Sequence, residues 1–293
     1  MPNLVNLLIG LERFAAGMHR KSIQVGDHKV FYAEGGKGEE TMVLVHGFSS
    51  SADSWNRIAG RLRKHYRLIA VDLPGWGEST RLEAASYGYP AQVERLHQFV
   101  RQLRLSRFHL VGHSMGGGIS ANYAVKYPDE VITLALIAPH GVIEPVRSEL
   151  AASVDRGDNW LVVTSLPGFT RLLDKCFAKR PYIPGPVLKA LAAQTVSRAA
   201  KTGKIFDEVQ LSPPPPLVER ISQIKAPTLI IWGDQDKLIH FSAAELYRKG
   251  IKDSATLIIP GSGHMPLMEN ARQCAETYLS FIKRPRGTAE AAA

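Results

Sequence analysis

Short, almost wholly apolar runs alternate with longer helical patterns along this chain, and this alternation constrains its fold most strongly. Four such runs lie at 41–45, 67–71, 108–111 and 131–138. An apolar run of this length is typical of a β-strand that is buried on both faces, as in a parallel sheet. The helical patterns between the runs provide the crossovers that parallel strands need. The sequence therefore predicts an α/β fold with a mostly parallel sheet.

The alternation stops after residue 141, and only helical patterns broken by prolines follow before strand patterns resume at 227–232 and 255–259. We interpret the proline run at 213–216 as a stiff, extended connector back to the core. The polar, alanine-rich end of the chain is interpreted as a disordered tail. The expected order is core, helical lid, core and tail: 22–141, 142–225, 226–283 and 284–293.

Residues 1–21 are predicted to form an N-terminal amphipathic helix. Polar and small residues recur at steps of three and four up to Gly17, and the opposite face is rich in leucine. Such a face needs cover from the body of the protein, a partner chain or a lipid surface. His19, Arg20 and Lys21 follow directly, where they could meet anionic headgroups. Peripheral membrane contact and docking on the body are both open.

Charge and cysteine content narrow the class of partner and the compartment. The chain has 36 Lys and Arg against 27 Asp and Glu, a net charge of +9. These cations are scattered and belong to no recognisable nucleic-acid module, so we expect no nucleic-acid partner. No apolar run approaches the ~20 residues of a membrane span, and the first residues lack the basic region of a secretory signal. Because Cys176 and Cys274 are far apart, no disulfide framework is expected, and we expect a cytoplasmic protein.

The segment Gly112-His-Ser-Met-Gly116 lies between a strand pattern and a helix pattern. This arrangement is the nucleophile elbow, a tight turn that lifts a serine hydroxyl clear of the sheet. We expect a side chain at Gly112 or Gly116 to strike the adjoining backbone. Three consecutive glycines open the helix although each costs ~1 kcal/mol relative to alanine, which indicates a functional close approach. Ser114 is the candidate nucleophile.

A serine hydroxyl at its ordinary pKa needs a base, and His264 is the candidate among ten histidines. It lies in a glycine-rich loop beyond the last strand pattern and follows a candidate acid, giving the chain order Ser, Asp, His. His46 and His113 flank the expected site in sequence, but neither is placed to act as the base. His109 is interpreted as a structural residue of a strand.

Two carboxylates compete for the role of the acid in the segment Trp232-Gly-Asp-Gln-Asp236, which ends a strand pattern. The preceding strand pattern ends at residues 138–140 and offers no acid. Asp236 is favoured over Asp234, because its position three residues past Gly233 is far enough round the turn to face the base. Asp234 is interpreted as a turn carboxylate that binds nearby backbone amides.

Acyl transfer also needs hydrogen-bond donors for the developing oxyanion. The backbone N–H of Met115, directly after the nucleophile, is one candidate. The second is the N–H of Phe48, in a loop that Gly47 allows to fold inward after the strand at 41–45. Asp72, which follows the next strand pattern, is interpreted as structural.

Five motifs together resemble those of the α/β-hydrolase superfamily, in order and spacing, over about residues 22–283. They are His46-Gly-Phe48, Asp72-Leu-Pro-Gly-Trp-Gly77, Gly112-His-Ser-Met-Gly-Gly117, Gly233-Asp-Gln-Asp236 and Gly261-Ser-Gly-His264. The resemblance is closest to monoacylglycerol-lipase-like membrane-associated members and to bacterial esterases and lipases. It implies an eight-stranded, mostly parallel sheet with a helical lid, and it supports Asp236 as the acid. The N-terminal helix departs from these members because it looks too short to span a membrane.

The resemblance implies a serine esterase or lipase that cleaves acylglycerols or other lipid-like esters, without metal or cofactor. A nucleophilic serine at position 114 excludes the branches that use aspartate, the haloalkane dehalogenases and epoxide hydrolases. A carbon–carbon bond hydrolase of ring-cleavage products and a non-catalytic ligand receptor remain the alternatives. Apolar lid residues either pack the lid or line an acyl channel: Trp160, Leu161, Val162, Leu166, Phe169, Leu172, Leu173 and Phe177.

Overall fold

A computed structural model describes residues 2–211 and 217–284 of the chain. The strands are β1 (Met18–Val25), β2 (His28–Gly35), β3 (Thr41–Val45), β4 (Arg67–Val71), β5 (Phe108–His113), β6 (Val131–Ile137), β7 (Thr228–Gly233) and β8 (Ser254–Ile259). They form one eight-stranded sheet in the order β1-β2-β4-β3-β5-β6-β7-β8. β2 pairs antiparallel with β1 and with β4, and every pair from β4 to β8 is parallel. The predicted α/β fold with a mostly parallel sheet is confirmed.

Helices cover both faces of the sheet. They are α1 (Pro2–Ala15), α2 (Asn56–Leu62), α3 (Tyr89–Gln102), α4 (Met115–Lys126), α5 (Glu149–Asp155), α6 (Leu166–Cys176), α7 (Gly185–Val196), α8 (Ala199–Leu211), α9 (Leu217–Arg220), α10 (Ala243–Gly250), α11 (Pro266–Glu269) and α12 (Ala271–Ile282). Trp55 and Tyr278 belong to the core on one face, and Phe99 and Tyr123 to the core on the other. Because both faces are covered, every residue of β3 and β5 is buried.

Helices α5 to α9 form the insertion between β6 and β7, whose described residues contain no strand. The insertion has a small core of its own around Val163, Phe169 and Ala192. Trp160 and Phe177 are also buried, and Leu166 is exposed. The predicted connector at 213–216 and the tail from residue 285 lie outside the described residues.

The N-terminal helix is shorter than predicted and is followed by a strand. Helix α1 ends at Ala15 and β1 begins at Met18, so a helix over residues 1–21 is a wrong prediction. The helix rests on the body through buried Val5 and through Arg13, whose guanidinium binds the Asp53 carboxylate at 2.7 and 2.9 Å. It also contacts α7 of the insertion. Helix α1 therefore contacts both the core of the protein, near Asp53, and the insertion, at α7.

Two of the three basic residues after α1 have carboxylate partners within the fold, and headgroup contact by this segment stays a prediction. Pairing with β2 makes His19, Arg20 and Lys21 part of β1. The Arg20 guanidinium lies 3.0 Å from the Asp72 carboxylate, and Lys21 lies 2.7 Å from Glu34. The charges of Arg20 and Lys21 are therefore balanced within the fold. The interpretation of Asp72 as structural is supported, since this fully buried carboxylate also accepts two backbone amides, at 2.7 and 2.9 Å.

No helix among residues 2–211 and 217–284 is long and apolar enough to cross a membrane.

Candidate active site

Ser114 stands at the turn between β5 and α4. Its backbone has φ 54° and ψ −122°, a left-handed conformation that L-residues with a side chain adopt only under strain. The turn is fixed because the Ser114 N–H donates to the Ile137 carbonyl at 3.0 Å. Ser114 is 9% exposed. The elbow therefore presents one hydroxyl at the carboxyl end of the central strands.

The glycines around Ser114 are required by backbone contacts. A Cβ atom at Gly112 would lie 2.3 Å from the carbonyl oxygen of Gly116, and a Cβ at Gly116 would lie 2.3 Å from that of Val45. Both distances are far below a van der Waals contact. The expectation that bulk at either position strikes the adjoining backbone is confirmed.

The loop after β3 comes close to the nucleophile. A Cβ at Gly47 would lie 3.0 Å from the Ser114 Cβ, so the Gly47 backbone borders the serine. Among the described residues, the next amide, that of Phe48, donates no backbone hydrogen bond. Met115 opens α4, where the first N–H groups have no acceptor inside the helix. The role of both amides as oxyanion donors stays a prediction.

His264 and Asp236 are joined by a hydrogen bond of 2.8 Å between the imidazole Nδ1 and the carboxylate Oδ2. Trp232 Nε1 donates to the same Oδ2 at 3.0 Å, and the amides of Leu238 and Ile239 donate to Oδ1 at 2.8 and 3.0 Å. Four donors therefore hold this buried carboxylate in one orientation. Because Asp236 Oδ2 is the acceptor, the His264 Nδ1 carries the imidazole proton. The other ring nitrogen, Nε2, is then the one that can accept a proton.

The second carboxylate of this turn faces another way. Asp234 Oδ1 accepts the Gly261 amide at 2.7 Å, so it ties the turn after β7 to the loop that carries His264. This is the turn role that the sequence analysis gave to Asp234.

His46 and His113 hold the loops of the site in place. His46 donates from Nδ1 to the Gly47 carbonyl at 2.7 Å and accepts the Leu73 amide at Nε2 at 3.1 Å. His113 donates from Nε2 to the carbonyl oxygen of His264 at 2.8 Å. Burial lowers the pKa of His113 to about 3, so its imidazole is neutral. Both imidazoles are thus used in loop contacts. This agrees with the expectation from the sequence that neither histidine acts as the base.

His140 is a further histidine beside the nucleophile, and no role for it could be predicted from the sequence. Its N–H donates to the Ser114 carbonyl at 2.9 Å. Its Nδ1 lies 2.5 Å from the Tyr89 hydroxyl, and burial raises the pKa of this phenol, which stays protonated. A phenol that donates to Nδ1 leaves the His140 Nε2 as an N–H donor. No sequence motif marks this residue, because it lies in the loop after β6 and its partner Tyr89, on α3, is remote in sequence.

His113 connects the elbow to the loop of the candidate base. It directly precedes Ser114 in sequence, and its side chain is hydrogen-bonded to the backbone of His264. The rings of His113 and His264 are 4.9 Å apart. Within residues 2–211 and 217–284, no hydrogen bond joins the Ser114 hydroxyl to His264. Such a contact is often long in an enzyme without substrate and shortens on binding.

Comparisons with known proteins bear on the family and the class of enzyme. A family model for the alpha/beta hydrolase fold matches residues 40–271. Lipase 1 of Psychrobacter immobilis is 32% identical over 282 residues, which cover 95% of this chain and 89% of the relative. A monoacylglycerol lipase of Xenopus laevis is 32% identical over 297 residues, or 97% and 88% of the two chains. The crystal structure of a membrane phospholipase A, a bacterial virulence factor, has a TM-score of 0.93 at 36% identity and covers 96% of this chain and 90% of its own.

The chain therefore belongs to the α/β-hydrolase family. It is an enzyme, a carboxylic-ester hydrolase of that fold. A 2-hydroxy-6-oxo-6-phenylhexa-2,4-dienoate hydrolase from Rhodococcus has a TM-score of 0.79 at 19% identity and covers 91% of this chain and 99% of its own. At that identity the likeness shows the fold alone.

Proposed function

We propose that this enzyme hydrolyses lipid-like esters, such as acylglycerols, through a Ser114–His264–Asp236 triad and an acyl-enzyme. The observation that carries the proposal is the pairing of two features at one sheet edge. One is the strained Ser114 turn, and the other is the buried hydrogen bond between His264 and Asp236. Together they supply a nucleophile and an oriented base, which are the parts that acyl transfer needs.

In the first step, Ser114 Oγ attacks the ester carbonyl while His264 Nε2 takes the hydroxyl proton. Asp236 stabilises the imidazolium that forms. The N–H groups of Phe48 and Met115 bind the oxyanion of the tetrahedral intermediate. His264 then gives its proton to the departing alcohol oxygen, and the carbon–oxygen bond of the ester breaks. The acyl group remains on Ser114.

In the second step, His264 takes a proton from a water molecule, whose oxygen attacks the acyl-enzyme carbonyl. The same two amides bind the second oxyanion. Collapse of this intermediate releases the carboxylic acid and returns the proton to Ser114.

The preference for lipid-like esters is supported by the apolar cover over the oxyanion loop. The Phe48 ring packs edge-on against Trp76, with ring centroids 4.8 Å apart, and against Phe206 of α8, at 6.0 Å. An acyl chain needs such apolar walls. Ser114 is only 9% exposed, and we expect substrate entry to displace the part of the insertion that carries Phe206. The lipases and phospholipase among the relatives point to the same substrate class.

A substrate panel tests the proposed function. Monoacylglycerols and p-nitrophenyl esters of increasing chain length should be hydrolysed, with the highest kcat/KM for chains long enough to use the apolar walls. A coloured ring-cleavage dienoate should not be consumed. Preferential cleavage of the dienoate would instead assign carbon–carbon bond hydrolysis, and binding of esters without turnover would assign a receptor.

We also propose peripheral membrane contact through the outer face of α1. The helix exposes four large apolar side chains: Leu7, Leu8, Leu11 and Phe14, the last 73% exposed. Their spacing places them on one face, and its inner side is taken by the body of the protein. An apolar face beside the insertion would bring the site to a lipid surface.

Vesicle co-sedimentation tests this contact. The triple variant Leu7→Ser, Leu11→Ser and Phe14→Ser should lower the bound fraction while sparing hydrolysis of a short soluble ester. Ile143→Ser, at a position that is 82% exposed outside α1, is the matched control. Since Arg20 and Lys21 are paired within the fold, high salt should weaken binding little. Equal binding of the triple variant and the unchanged protein would contradict the proposal.

A further inference from the structure

The backbone of His264 is held on both sides by hydrogen bonds outside its own loop. Its N–H donates to the carbonyl oxygen of Cys176 at 2.9 Å. Its carbonyl oxygen accepts the Nε2–H of His113 at 2.8 Å. Cys176 is the last residue of α6, so the first of these contacts connects the candidate base to the helical insertion rather than to the sheet.

Glu269 spans the same junction with both oxygens of its carboxylate. Oε1 accepts the amide of Gly263 at 2.9 Å, directly before His264. Oε2 accepts the amide of Ala178 at 2.9 Å and that of Lys179 at 3.4 Å. One side chain thus binds the loop of the base and the end of the insertion at the same time.

The two backbones touch with no side chain between them. A Cβ atom at Gly263 would lie 2.5 Å from the Ala178 nitrogen and 2.8 Å from the Cys176 oxygen. Phe177, at the centre of this segment, is buried. The backbone of residues 176–179 therefore packs directly against the loop that carries His264. A shift of residues 176–179 by about 1 Å would therefore move the His264 imidazole.

We propose that Glu269 is a positioning residue that fixes His264 against Ser114 by clamping residues 176–179 to the 261–264 loop. The inference rests on the proposed function, since it concerns the base of that reaction. It assigns two different tasks to the insertion. The end at 176–179 stays in place during turnover and orients the base, and the part that carries Phe206 moves aside for substrate.

The test compares Glu269→Asp and Glu269→Gln with Glu276→Gln, a control at an exposed carboxylate that pairs only with Arg272 in the described structure. Asp keeps the charge but is one methylene too short to reach both segments. Gln keeps the length but presents an NH₂ group to one of the amides. kcat and KM are measured on a short soluble ester. Active sites are counted by fluorophosphonate titration, so that unfolded molecules do not enter kcat.

Both Glu269 variants should lose ~10-fold to ~100-fold in kcat per active site with KM changed less than about twofold, because a displacement of about 1 Å at a catalytic group costs up to that much. The rate of inactivation by fluorophosphonate should fall in parallel, and Glu276→Gln should match the unchanged enzyme. If the Glu269 variants only lower the melting temperature and keep kcat per active site, the inference is wrong. Glu269→Asp with full activity would likewise contradict the bridging role.

A different result marks failure of the proposed function itself. In that case, Ser114→Ala would still be labelled by fluorophosphonate and would still hydrolyse the ester.

Discussion

The carboxyl edge of the sheet and the helical insertion are held together in different ways. At the sheet edge, close backbone contacts fill the space that a Cβ would need at Gly112 and Gly116. In the insertion, a Cβ at Gly203 would meet only the Val162 side chain at 3.8 Å, an ordinary contact. Ion pairs of the insertion such as Arg171 with Asp158 are exposed, and exposed pairs stabilise little.

This difference separates two tasks. The residues proposed for the chemistry lie where the backbone leaves no freedom, so their geometry is set before substrate arrives. The insertion contacts this edge through residues 176–179 and through Phe206, which packs on Phe48, and its Trp160 belongs to the core on one face of the sheet. Its other helices pack around a small core of their own and carry exposed ion pairs, and segments held in this way open at low free energy. We therefore expect the proposed catalytic residues to stay in place during turnover, while part of the insertion moves.

The largest expected effect sharpens the role of the sheet edge. Ser114→Ala or His264→Ala should each lower kcat on a short ester by ~10⁴-fold or more. The double variant should lose little beyond either single one, because nucleophile and base act as one unit. Melting temperatures near that of the unchanged enzyme provide the control. Additive losses would show that the two residues act in separate steps.

Slightly smaller is the effect of the acid. Asp236→Asn should cost ~10³-fold to ~10⁴-fold in kcat, because the amide no longer fixes the imidazole with its proton on Nδ1. Asp234→Asn, which alters only the turn contact with Gly261, should cost far less. Steady-state kinetics of the two variants decide the assignment, and a reversed order would make Asp234 the acid.

One substitution made in both regions should give opposite signs. Gly116→Ala should lower the free energy of unfolding by ~1–3 kcal/mol, because the added methyl group forces the backbone apart. Gly203→Ala, inside α8, should raise it by ~0.5–1 kcal/mol, since alanine loses less conformational entropy in a helix than glycine does. Urea unfolding measures both. Losses of equal size would break the contrast between the two regions.

The histidine contribution to the pH dependence of stability should originate outside the insertion, because the chain has no histidine between positions 141 and 239. Burial lowers the pKa of His46, His113 and His140, that of His113 from 6.5 to about 3. Below pH 6.5 the unfolded chain binds protons that the folded chain does not. The free energy of unfolding should therefore fall as the pH drops from 6.5 towards 3, by at most ~1.4 kcal/mol per pH unit for each histidine.

His113→Gln should flatten this pH dependence in urea unfolding at a series of pH values. A slope that is unchanged in the variant would show that His113 is not one of the groups responsible.

The parts of the molecule that sequence could predict are those where residue type is fixed by burial or by close approach. β3 to β7 appear as continuous apolar runs because both of their faces are covered. The glycines at 112 and 116 mark the elbow because nothing larger fits. Asp236 and His264 follow the last two strands, whose carboxyl ends meet at one edge, and this explains why residues so far apart in sequence are hydrogen-bonded.

Other features of the structure could not be predicted from the residue types in the sequence. β1 is buried mainly at Met18 and Val25 and exposed between them, so its pattern resembles the polar end of a helix. Arg20 looks like a surface cation because its partner Asp72 is remote in sequence. The clamp at Glu269 acts on backbone amides, and any residue supplies those. Such contacts depend on the fold, and only the structure reveals them.

The central claim, that Ser114 carries the acyl group, is tested most directly by covalent labelling and peptide mass spectrometry. After treatment with a fluorophosphonate, the unchanged enzyme should gain one adduct, located on Ser114, as hydrolysis stops. Ser114→Ala should gain none and should have no activity, although it is folded. An adduct on another residue, or ester hydrolysis that survives in Ser114→Ala, would contradict the account.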